Sequence, residues 1–592
     1  MVKKCKEEND GMVDQITPVD VHHVQVGGEI SRRIDLTVQN NLLAINVDRD
    51  FLLPFKQKHN EGGYIGLGKL IDSFVRISTY IKNDNIMTQK KYLINETIRT
   101  QEPDGYIGIM QPDKRMWTLW DIHEMSYIIF GLVSDYRYFV EQASLESARK
   151  LADYIVEQWM ANRDRIPGGG RINVHMAVIG IESAMLALYQ QTGEQKYLNF
   201  CIDFRKLPEW EAPIVLGRWG QIDGHAYAYM CRCVAQLRLY RIQPDSQLLL
   251  PSKRIIEFLT KQDGLVITGA VGDHECWHDT QEGTKNLGET CATAYLIRLM
   301  DEMLRLEGNS LYGDIMERVV YNTLFAAQSP DGRQIRYYTP FDGPRTYFPT
   351  DTYCCPGNYR RIIVELPSMI YYQLASGLVV NLYTTSTVKI KLESGAYLNV
   401  QQKTDYPRSG QVTIYLNPSK PTRSPLWLRI PRWCTKAQVK VNHQPFNETI
   451  EPGKFLRIDH EWKTGDQVLL DFPMSWRLVK GRKAQAGRVA VMRGPLLFCL
   501  NRSRHKELAD VDLRLIVIDP SSLEGPIEGD EIHESGVICH LRAWSPGSWY
   551  PHGQTDLSLV LTEFTDPGGE FIYFKVPNPR VDTFVDDDLI QT

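Results

Sequence analysis

The sequence lacks the features that mark several classes of protein. It contains no run of about 18 uncharged apolar residues, so we expect no transmembrane span. Lys and Arg number 67 against 72 Asp and Glu, which leaves a formal net charge of −5 in 592 residues. Nucleic-acid binding requires a concentrated basic face, so we expect no nucleic-acid partner. With 43% apolar and 23% charged residues, the chain is neither disordered nor collagen-like.

Cysteine is too sparse for a disulfide scaffold. The 11 cysteines are spread through a long chain without dense spacing. The segment Met1 to Asp20 has no apolar stretch, so we expect no signal peptide in the chain as it stands. A cytoplasmic and a periplasmic location both remain open.

The first two-thirds of the chain has a helical hydrophobic pattern. Apolar residues recur with a period close to 3.6, and the intervening loops carry Gly and Pro. Many helices without strands between them predict one large helical domain, and a closed ring of helical hairpins is one way to bury their faces. The predicted helices are Ile65–Ile81, Ile122–Ser134, Ser144–Met160, Ala177–Gln191, Ala226–Leu239, Glu289–Leu306, Asp314–Ala327 and Asn358–Leu374.

After Gly377 the chain changes to short alternating runs separated by turn residues. This pattern predicts an antiparallel β-sandwich, and a second, smaller β domain begins near Arg488. We therefore expect domains at 31–377, 378–486 and 487–592. Residues 1–30 form an N-terminal segment whose alternating stretch would add a strand to one sandwich.

Three cysteines and one carboxylate form the first candidate site. Glu289 and Cys291 open a predicted helix, and Cys354 and Cys355 lie in a Cys-Cys-Pro-Gly-Asn turn before another. Adjacent cysteines cannot easily bond to each other, because the small ring strains the peptide linkage. Three thiolates and one carboxylate make a four-coordinate set suited to Zn²⁺. The alternative is a group of apolar cysteines in the core.

Two histidines and two further carboxylates are candidates for a ligand pocket. His123 and His225 each begin a predicted helix among Trp, Asp and Tyr residues, as in an aromatic-lined sugar pocket; both could equally be structural. Glu275 lies in a loop beside Trp277, where an apolar wall would raise its pKa and suit it to act as a general acid. Glu317 could face the interior or pair with the neighbouring arginine.

These motifs resemble glycoside hydrolase family 127, the β-L-arabinofuranosidase-like group. The resemblance rests on Glu-x-Cys at 289–291, Cys-Cys-Pro-x-Asn at 354–358 and Arg-Val-Ala-Val-Met-Arg-Gly-Pro at 488–495. It extends from about residue 30 to 500. It implies a multidomain α+β protein, in which an N-terminal (α/α)6 barrel is followed by two β-sandwich domains.

The resemblance also implies the roles of individual residues. A zinc-bound cysteine thiolate, Cys354, would replace the carboxylate nucleophile of ordinary retaining glycosidases. Glu289, Cys291 and Cys355 would complete the zinc shell together with Cys354. Glu275 would be the acid/base.

Five residues are implied to bind substrate. His123 and His225 match family histidines, and Glu317 has the family's spacing after Glu289. Tyr337 matches a family tyrosine, with Tyr338 as an alternative. A third family histidine is replaced by Val178, and His175 lies one turn earlier. The substrate-binding set implied by the resemblance is therefore His123, His225, Glu317, Tyr337 and His175.

The expected activity is exo-hydrolysis that releases an L-arabinofuranose-like sugar from plant cell-wall glycans. The changed pocket leaves open aceric acid, an acidic branched sugar of pectin, for which Arg171, Arg218 or Arg361 would bind the carboxylate. Two alternatives belong to other classes: a non-catalytic carbohydrate-binding protein with structural zinc, and a polysaccharide lyase. The expected partner is an oligosaccharide substrate, and a homodimer is compatible with the sequence.

Overall fold

The computed structural model describes residues 14–58, 63–163, 165, 178–219, 221–374, 376–528, 536–551 and 553–591. The part before residue 370 is mainly helical. Its α-helices are α1 Gly28–Leu36, α2 Leu53–Gln57, α3 Leu67–Tyr80, α4 Asp84–Arg99, α5 Asp121–Phe139, α6 Gln142–Ala161, α7 Ile181–Thr192, α8 Gln195–Asn199, α9 Ala226–Tyr240, α10 Leu250–Lys261, α11 Thr290–Glu307, α12 Ser310–Arg318 and α13 Cys354–Glu365. Among the helices described, none combines the length and the hydropathy that a membrane crossing needs.

Helices α3 and α5 make the closest helix–helix contact near the site. A Cβ atom at Gly68 would lie 2.1 Å from the backbone nitrogen of Ile128, and one at Gly131 would lie 2.8 Å from the Gly68 carbonyl oxygen. The two backbones can touch only because both positions are glycine. This contact fixes the beginning of α3 beside the middle of α5.

Two helix predictions near the cysteines need correction. The Cys-Cys-Pro segment is not a turn before a helix but the first turn of α13, which begins at Cys354. Proline is tolerated there because its missing N–H would have no intrahelical partner. The helix predicted at Asn358–Leu374 ends as an α-helix at Glu365, and Tyr371–Gln373 is a strand.

The remainder of the described chain is mainly β-structure. Its strands are β1 Thr17–Pro18, β2 Val24–Val26, β3 Tyr371–Gln373, β4 Leu378–Val380, β5 Ser386–Lys391, β6 Tyr397–Thr404, β7 Gln411–Pro418, β8 Thr422–Ile430, β9 Gln438–Val441, β10 Gln444–Pro445, β11 Lys454–Trp462, β12 Asp466–Asp471, β13 Trp476–Lys480, β14 Arg488–Arg493, β15 Leu496–Leu500, β16 Val517–Ile518, β17 Glu524–Glu528, β18 Val537–Trp544, β19 Leu557–Glu563 and β20 Tyr573–Lys575.

Three sheets organise these strands. One has the order β1-β3-β4-β8-β11, and a second has the order β10-β9-β12-β7-β6-β5-β2. Strand β7 alternates exposed or half-buried residues with buried ones, the pattern of a sheet with one face in the core. The third sheet has eight strands and contains β13 to β20.

The N-terminal segment and the last sheet bear on the predicted domain limits. Strand β1 pairs with β3 and strand β2 pairs with β5, so this segment contributes to two different sheets. Strand β13 pairs with β14 in the third sheet. The third sheet therefore begins at Trp476, before the predicted boundary at 486/487.

Candidate active site

The four predicted metal ligands lie together at the beginnings of two helices. Glu289 is the N-cap of α11 and Cys291 lies in its first turn, while Cys354 and Cys355 begin α13. The Sγ atoms of Cys291 and Cys355 are 3.4 Å apart, and Cys355 Sγ is 3.8 Å from Glu289 Oε1. One ligand atom from each of the four residues lies within 4.8 Å of the others. Both helix dipoles favour negative charge here. We call these four residues the thiol cluster.

The three thiols of the cluster differ in exposure and in pKa. Cys291 and Cys355 are 0% exposed, whereas Cys354 is 9% exposed. Burial raises the pKa of Cys291 and of Cys355 well above the usual range. Burial also acts on Cys354, but hydrogen bonds from the other two thiols and the charge of Lys69 outweigh it and hold its pKa well below the usual range. Cys354 is thus the sulfur best suited to carry negative charge.

Glu289 shows why this cluster suits a cation. Its Oε2 atom is buried and has no hydrogen-bond partner within the described structure. Burial, followed by the charges of Glu275 and Cys354, raises the pKa of Glu289 well above its usual range. A carboxyl group and three thiols, held this close and out of water, provide the donor set of a tetrahedral Zn²⁺ site. The residues therefore fit a metal ion.

Lys69 lies near the thiol cluster, and its place in the site was not predicted from the sequence. Its side chain is fully buried, and its Nζ donates to Tyr227 Oη at 3.3 Å and lies 4.4 Å from the centre of the Tyr127 ring. Burial lowers the pKa of Lys69, while the charges of the three cluster thiols act in the opposite direction. The helical period identified Lys69 only as part of a helix with a buried face, and no local motif distinguishes it.

Glu275 is held by three polar partners at the edge of the cluster. Tyr337 donates its hydroxyl hydrogen to Glu275 Oε1, and Trp219 Nε1 donates to Oε2 at 2.7 Å. Burial raises the pKa of Glu275, but the hydrogen bond and charge of His225, followed by the bonds from Tyr337 and Trp219, leave it below the usual range. The raised pKa expected from an apolar wall is therefore wrong for the ligand-free protein, because polar donors surround the carboxyl group.

The Nε2 atom of His225 faces Glu275. Its Nδ1 accepts the backbone N–H of Ala228 at 3.1 Å, as the N-cap of α9. The neutral ring therefore carries its hydrogen on Nε2, which lies 3.5 Å from Glu275 Oε2. Although His225, Glu275 and Glu289 lie within ligand distance of one another, this tautomer leaves Nε2 no lone pair for a metal. We assign His225 to hydrogen bonding.

Aromatic rings form a wall beside the cluster. The His123 ring stacks on Tyr64 with centroids 4.5 Å apart, and Trp120 lies 5.5 Å from His123. Tyr353 contacts both Tyr64 and Trp120 edge-on. Such a wall can cover the apolar face of a sugar ring.

Glu124 fixes this wall to helix α3. Its carboxylate accepts the backbone N–H groups of Ile65, Gly66 and Leu67 at 3.0, 2.9 and 2.8 Å. These bonds cap the beginning of α3 and place Tyr64 against His123. Glu124 was not predicted from the sequence, although its position directly after His123 at the start of a predicted helix was a signal.

Four non-glycine residues around the site have left-handed backbone conformations. Trp120, His274, Glu275 and Tyr353 have φ values of 75°, 48°, 68° and 102°, in the left-handed region that favours glycine. Such conformations persist only where the surrounding structure enforces them, and they are typical of functional sites. Tyr353 directly precedes Cys354, and Trp120 lies three residues before His123. Glu275 is itself a candidate site residue.

Tyr337 and Tyr338 have different positions. Tyr337 Oη lies 3.9 Å from Cys354 Sγ in addition to its bond to Glu275. Tyr338 pairs through its backbone with Glu289, and its ring lies 4.6 Å from that of Tyr337. Of the two alternatives, Tyr337 is the tyrosine whose hydroxyl faces the cluster.

The structure does not bring Glu317 to the thiol cluster. Its Oε1 accepts hydrogen bonds from Tyr406 Oη and Arg429 at 2.5 Å each, and its Oε2 accepts one from Trp433 at 3.1 Å. It is 1% exposed, with these partners from the β-sheet region. The substrate-binding role is corrected to a structural one, because family spacing identified a helix position without showing which side it faces. The alternative pairing with Arg318 is also absent, since Arg318 binds Asp587 and Asp588.

Four other candidates lie away from the cluster or outside the described residues. His175 and Arg171 fall outside the described residues. Arg218 is 52% exposed at its side chain and pairs with Asp223 at 3.0 Å. Arg361 is buried and pairs with Asp72 at 2.6 Å.

Two family models and one relative match this chain. The model of the "Beta-L-arabinofuranosidase, GH127 catalytic domain" matches residues 55–368, and that of the GH127 middle domain matches residues 377–474. The chain is 27% identical over 474 residues, covering 68% of this chain and 70% of the relative, to a "Non-reducing end beta-L-arabinofuranosidase" of Bifidobacterium longum subsp. longum.

Solved structures share the fold. A GH127 beta-L-arabinofuranosidase from Geobacillus stearothermophilus T6 gives a TM-score of 0.77 at 23% identity, covering 93% of this chain and 100% of that one. A GH127 beta-arabinofuranosidase gives a TM-score of 0.80 at 20% identity, covering 95% and 98%. The mixed helical and β, multidomain architecture is therefore shared over nearly the whole chain.

The fold and the site, taken with these matches, define a glycoside hydrolase. The interpretations as a lyase and as a non-catalytic sugar-binding protein are thereby set aside. Since the catalytic-domain match alone spans more than half of the sequence, the chain belongs to glycoside hydrolase family 127.

Proposed function

We propose that the protein is a retaining exo-glycoside hydrolase that releases L-arabinofuranose from plant glycans, with Cys354 as nucleophile and Zn²⁺ bound by the thiol cluster. One observation carries the proposal: Tyr337 Oη contacts both Cys354 Sγ, at 3.9 Å, and Glu275. A single hydroxyl thus spans the two reacting groups. Two reacting groups that share one hydroxyl leave no room between them for the water molecule of an inverting enzyme, which favours a retaining mechanism.

The metal would be held by Glu289, Cys291, Cys354 and Cys355. When bound, Zn²⁺ would keep thiols ionised at neutral pH. Cys354 is the ligand suited to attack, because it is the one of the three sulfurs with exposed surface and it lies on the Glu275 side.

Two steps follow from this arrangement. In the first, Cys354 Sγ bonds to the anomeric carbon while the bond to the leaving oxygen breaks and Glu275 gives that oxygen a proton. In the second, Glu275 takes a proton from water, the water oxygen bonds to the anomeric carbon, and the carbon–sulfur bond breaks. Two inversions retain the configuration.

Chain residues position the sugar and shield it from bulk water. We propose that His225 Nε2 donates to a substrate oxygen beside Glu275, and that Tyr337 orients both reacting groups. The rings of Tyr64, Trp120 and Tyr353 would cover the apolar face of a furanose. His123, stacked on Tyr64, would line the same wall.

The finer architecture belongs to the same proposal. We infer that the helices close into an (α/α)6 barrel, with the thiol cluster at the end where α11 and α13 begin. The first two sheets would stack as one β-sandwich and the third would form the last β domain. This division keeps the predicted domains, except that the last one begins at Trp476.

An acidic sugar has less support than arabinofuranose. Arg218 and Arg361 already have carboxylate partners in Asp223 and Asp72. In the part of the chain that is described, neither arginine donates a hydrogen bond to Glu275 or Cys354. We therefore favour a neutral furanose.

The test is hydrolysis of an aryl β-L-arabinofuranoside, with the anomer of the first product followed by NMR. We expect the β anomer to form first. Cys354→Ala should lower kcat/KM at least about 10³-fold, whereas Cys434→Ala, a buried cysteine in the β-sheet region, should stay near wild type. Near-normal turnover by Cys354→Ala, or an inverted product, would contradict the proposal.

A further inference from the structure

A cavity lies on the far side of the helical part from the thiol cluster. It has a volume of about 790 Å³ and is lined by later turns of α3, α5, α7, α9, α11 and α13, with the N-terminal residues 18–22 at its rim. Tyr127 Oη bonds to Tyr227 Oη at 2.8 Å and to Tyr295 Oη at 2.7 Å. Tyr127 and Tyr295 line the cavity, while Tyr227 Oη contacts Lys69. This tyrosine triad therefore separates the cavity from the thiol cluster.

Arginine dominates the wall of this cavity. Seven arginines and four acidic residues line it. Asp72 and Asp14 also form ion pairs with arginines of the wall, which brings the number of acidic groups to six. Among these 13 groups, the positive charges therefore exceed the negative charges by one. A cavity with an uncompensated guanidinium charge favours an anionic ligand.

Arg298 provides a specific free donor. Its Nε and Nη2 atoms bind the two oxygens of Glu365 at 2.8 and 3.1 Å. Its Nη1 is buried and has no hydrogen-bond partner within the described structure, although the side chain is only 7% exposed. A buried guanidinium N–H without a partner is costly, so Arg298 keeps one unused donor in the wall of this cavity.

The same wall already binds a carboxylate of the chain itself. Asp14 is held by Arg241 at 2.7 Å and by Arg305 at 2.8 Å. Two guanidinium groups thus converge on one carboxylate at this end of the helices. Arg238, which binds Glu302 at 3.4 Å, completes the neighbouring part of the wall.

We propose that this cavity is a binding site for a small oxyanion, a carboxylate or a phosphate, with Arg298 and Arg238 as its principal donors. The volume admits a sugar acid or an inorganic anion. The source of the anion can be an acidic sugar or free phosphate, since both present the same oxygens to a guanidinium group. The proposal does not depend on the hydrolase mechanism.

Titration calorimetry on the full chain tests the site, with galacturonate and inorganic phosphate as probes at constant ionic strength. We expect saturable binding of at least one probe with a Kd below about 1 mM. Arg298→Gln should weaken it at least about tenfold. Since that variant leaves Glu365 short of a partner, Arg238→Gln provides a second test, because Glu302 keeps Arg241 and Arg305.

Two controls decide the location. Arg254→Gln removes a half-exposed arginine that pairs with Glu211 elsewhere in the helical part, and it should leave binding unchanged. Alkylation of Cys354 should also leave anion binding unchanged, because the tyrosine triad lies between the two sites. The proposal is overturned if neither probe binds saturably, if both Arg298→Gln and Arg238→Gln bind like wild type, or if alkylation abolishes binding.

Discussion

At the scale of single residues, the thiol cluster depends on groups that are not themselves ligands. With the proposed Zn²⁺ bound, three thiolates and one carboxylate would leave a net negative charge in a buried site, and burying net charge is costly unless it is compensated. Lys69 is placed to compensate it, because its charge acts on all three thiols and its stem occupies the space beside Gly357. A Cβ at Gly357 would lie 3.1 Å from Lys69 Cδ.

Lys69→Met should weaken metal binding. The methionine keeps most of the packing volume but removes the positive charge, so we expect the zinc Kd to rise about tenfold or more. Competition with a zinc-binding dye measures this without reference to activity. Lys56→Met, which removes a surface lysine, should have no effect. An unchanged Kd in Lys69→Met would show that the charge is not needed.

Trp219 lowers the pKa of Glu275, the proposed acid/base residue, through one hydrogen bond. Since its Nε1–H helps to lower the pKa of Glu275, Trp219→Phe should raise that pKa. Glu275 must be protonated to act as the acid, so the alkaline limb of the kcat/KM profile should move to higher pH. Trp549→Phe, a control at an exposed tryptophan of the third sheet, should leave the profile unchanged. A shift to lower pH would contradict the role assigned to Trp219.

At the scale of elements, helix α12 is attached to strand β8 by one buried arginine. Arg429 is 0% exposed and binds Asp314 and Glu317 at 2.5 Å each. Tyr406 and Trp433 bind Glu317 from the same region. This network explains why Glu317 is unavailable to substrate. The attachment of α12 to β8 should therefore be sensitive to loss of Arg429 or of its carboxylate partners.

Arg429→Met should destabilise the protein by about 3–5 kcal/mol, because it leaves two buried carboxyl groups without their cation. Urea unfolding followed by circular dichroism measures the change. Arg457→Met removes an arginine from the neighbouring strand β11, where the side chain is 54% exposed, and should cost less than about 0.5 kcal/mol. Equal effects of the two variants would contradict the importance of burial.

At the scale of the whole molecule, the sequence predicted most of the long helices but not α4 or α10, and it predicted helix positions better than helix limits. The period of 3.6 placed α3, α5 and α9, and the alternating runs predicted at Gln411–Leu416 and Gln467–Phe472 placed β7 and β12. The start of α13 was missed because Pro and Gly usually interrupt helices, although the first turn tolerates both. Strand β6 was missed because Tyr397–Thr404 is polar over most of its length.

The residues of the candidate site were likewise predicted only in part. Cys291, Cys354 and Glu289 could be grouped from motifs, because rare residue types at short spacing indicate metal binding. Lys69, Trp219 and the position of Glu317 could not be predicted, since each depends on contacts between segments distant in the chain. Those contacts follow from helix packing, which a single sequence does not specify.

The junction between helices and sheets should also make stability depend on pH. Burial, only partly offset by Arg429 and reinforced by Glu317, raises the pKa of Asp314 to about 7. The folded state thus binds this proton more tightly than the unfolded chain does. The resulting stabilisation is complete below the unfolded pKa of about 4 and is lost as pH rises through about 7.

Asp314→Asn should remove this dependence. From pH 5 to pH 8, wild type should lose about 2 kcal/mol of stability relative to Asp314→Asn. Chemical unfolding of both proteins at the two pH values gives the comparison, and Asp459→Asn on the exposed face of β11 provides the control. A constant difference between wild type and Asp314→Asn would contradict the raised pKa.

The most direct measurement is to trap the covalent intermediate on the thiol of Cys354. Glu275→Ala should still react with an aryl β-L-arabinofuranoside, whose leaving group needs no acid, but should hydrolyse the intermediate slowly. Peptide mass spectrometry should then locate one pentosyl group on Cys354, and none should accumulate in the Glu275→Ala, Cys354→Ala double variant. A pentosyl group on a carboxylate, or continued turnover by the double variant, would contradict a cysteine nucleophile.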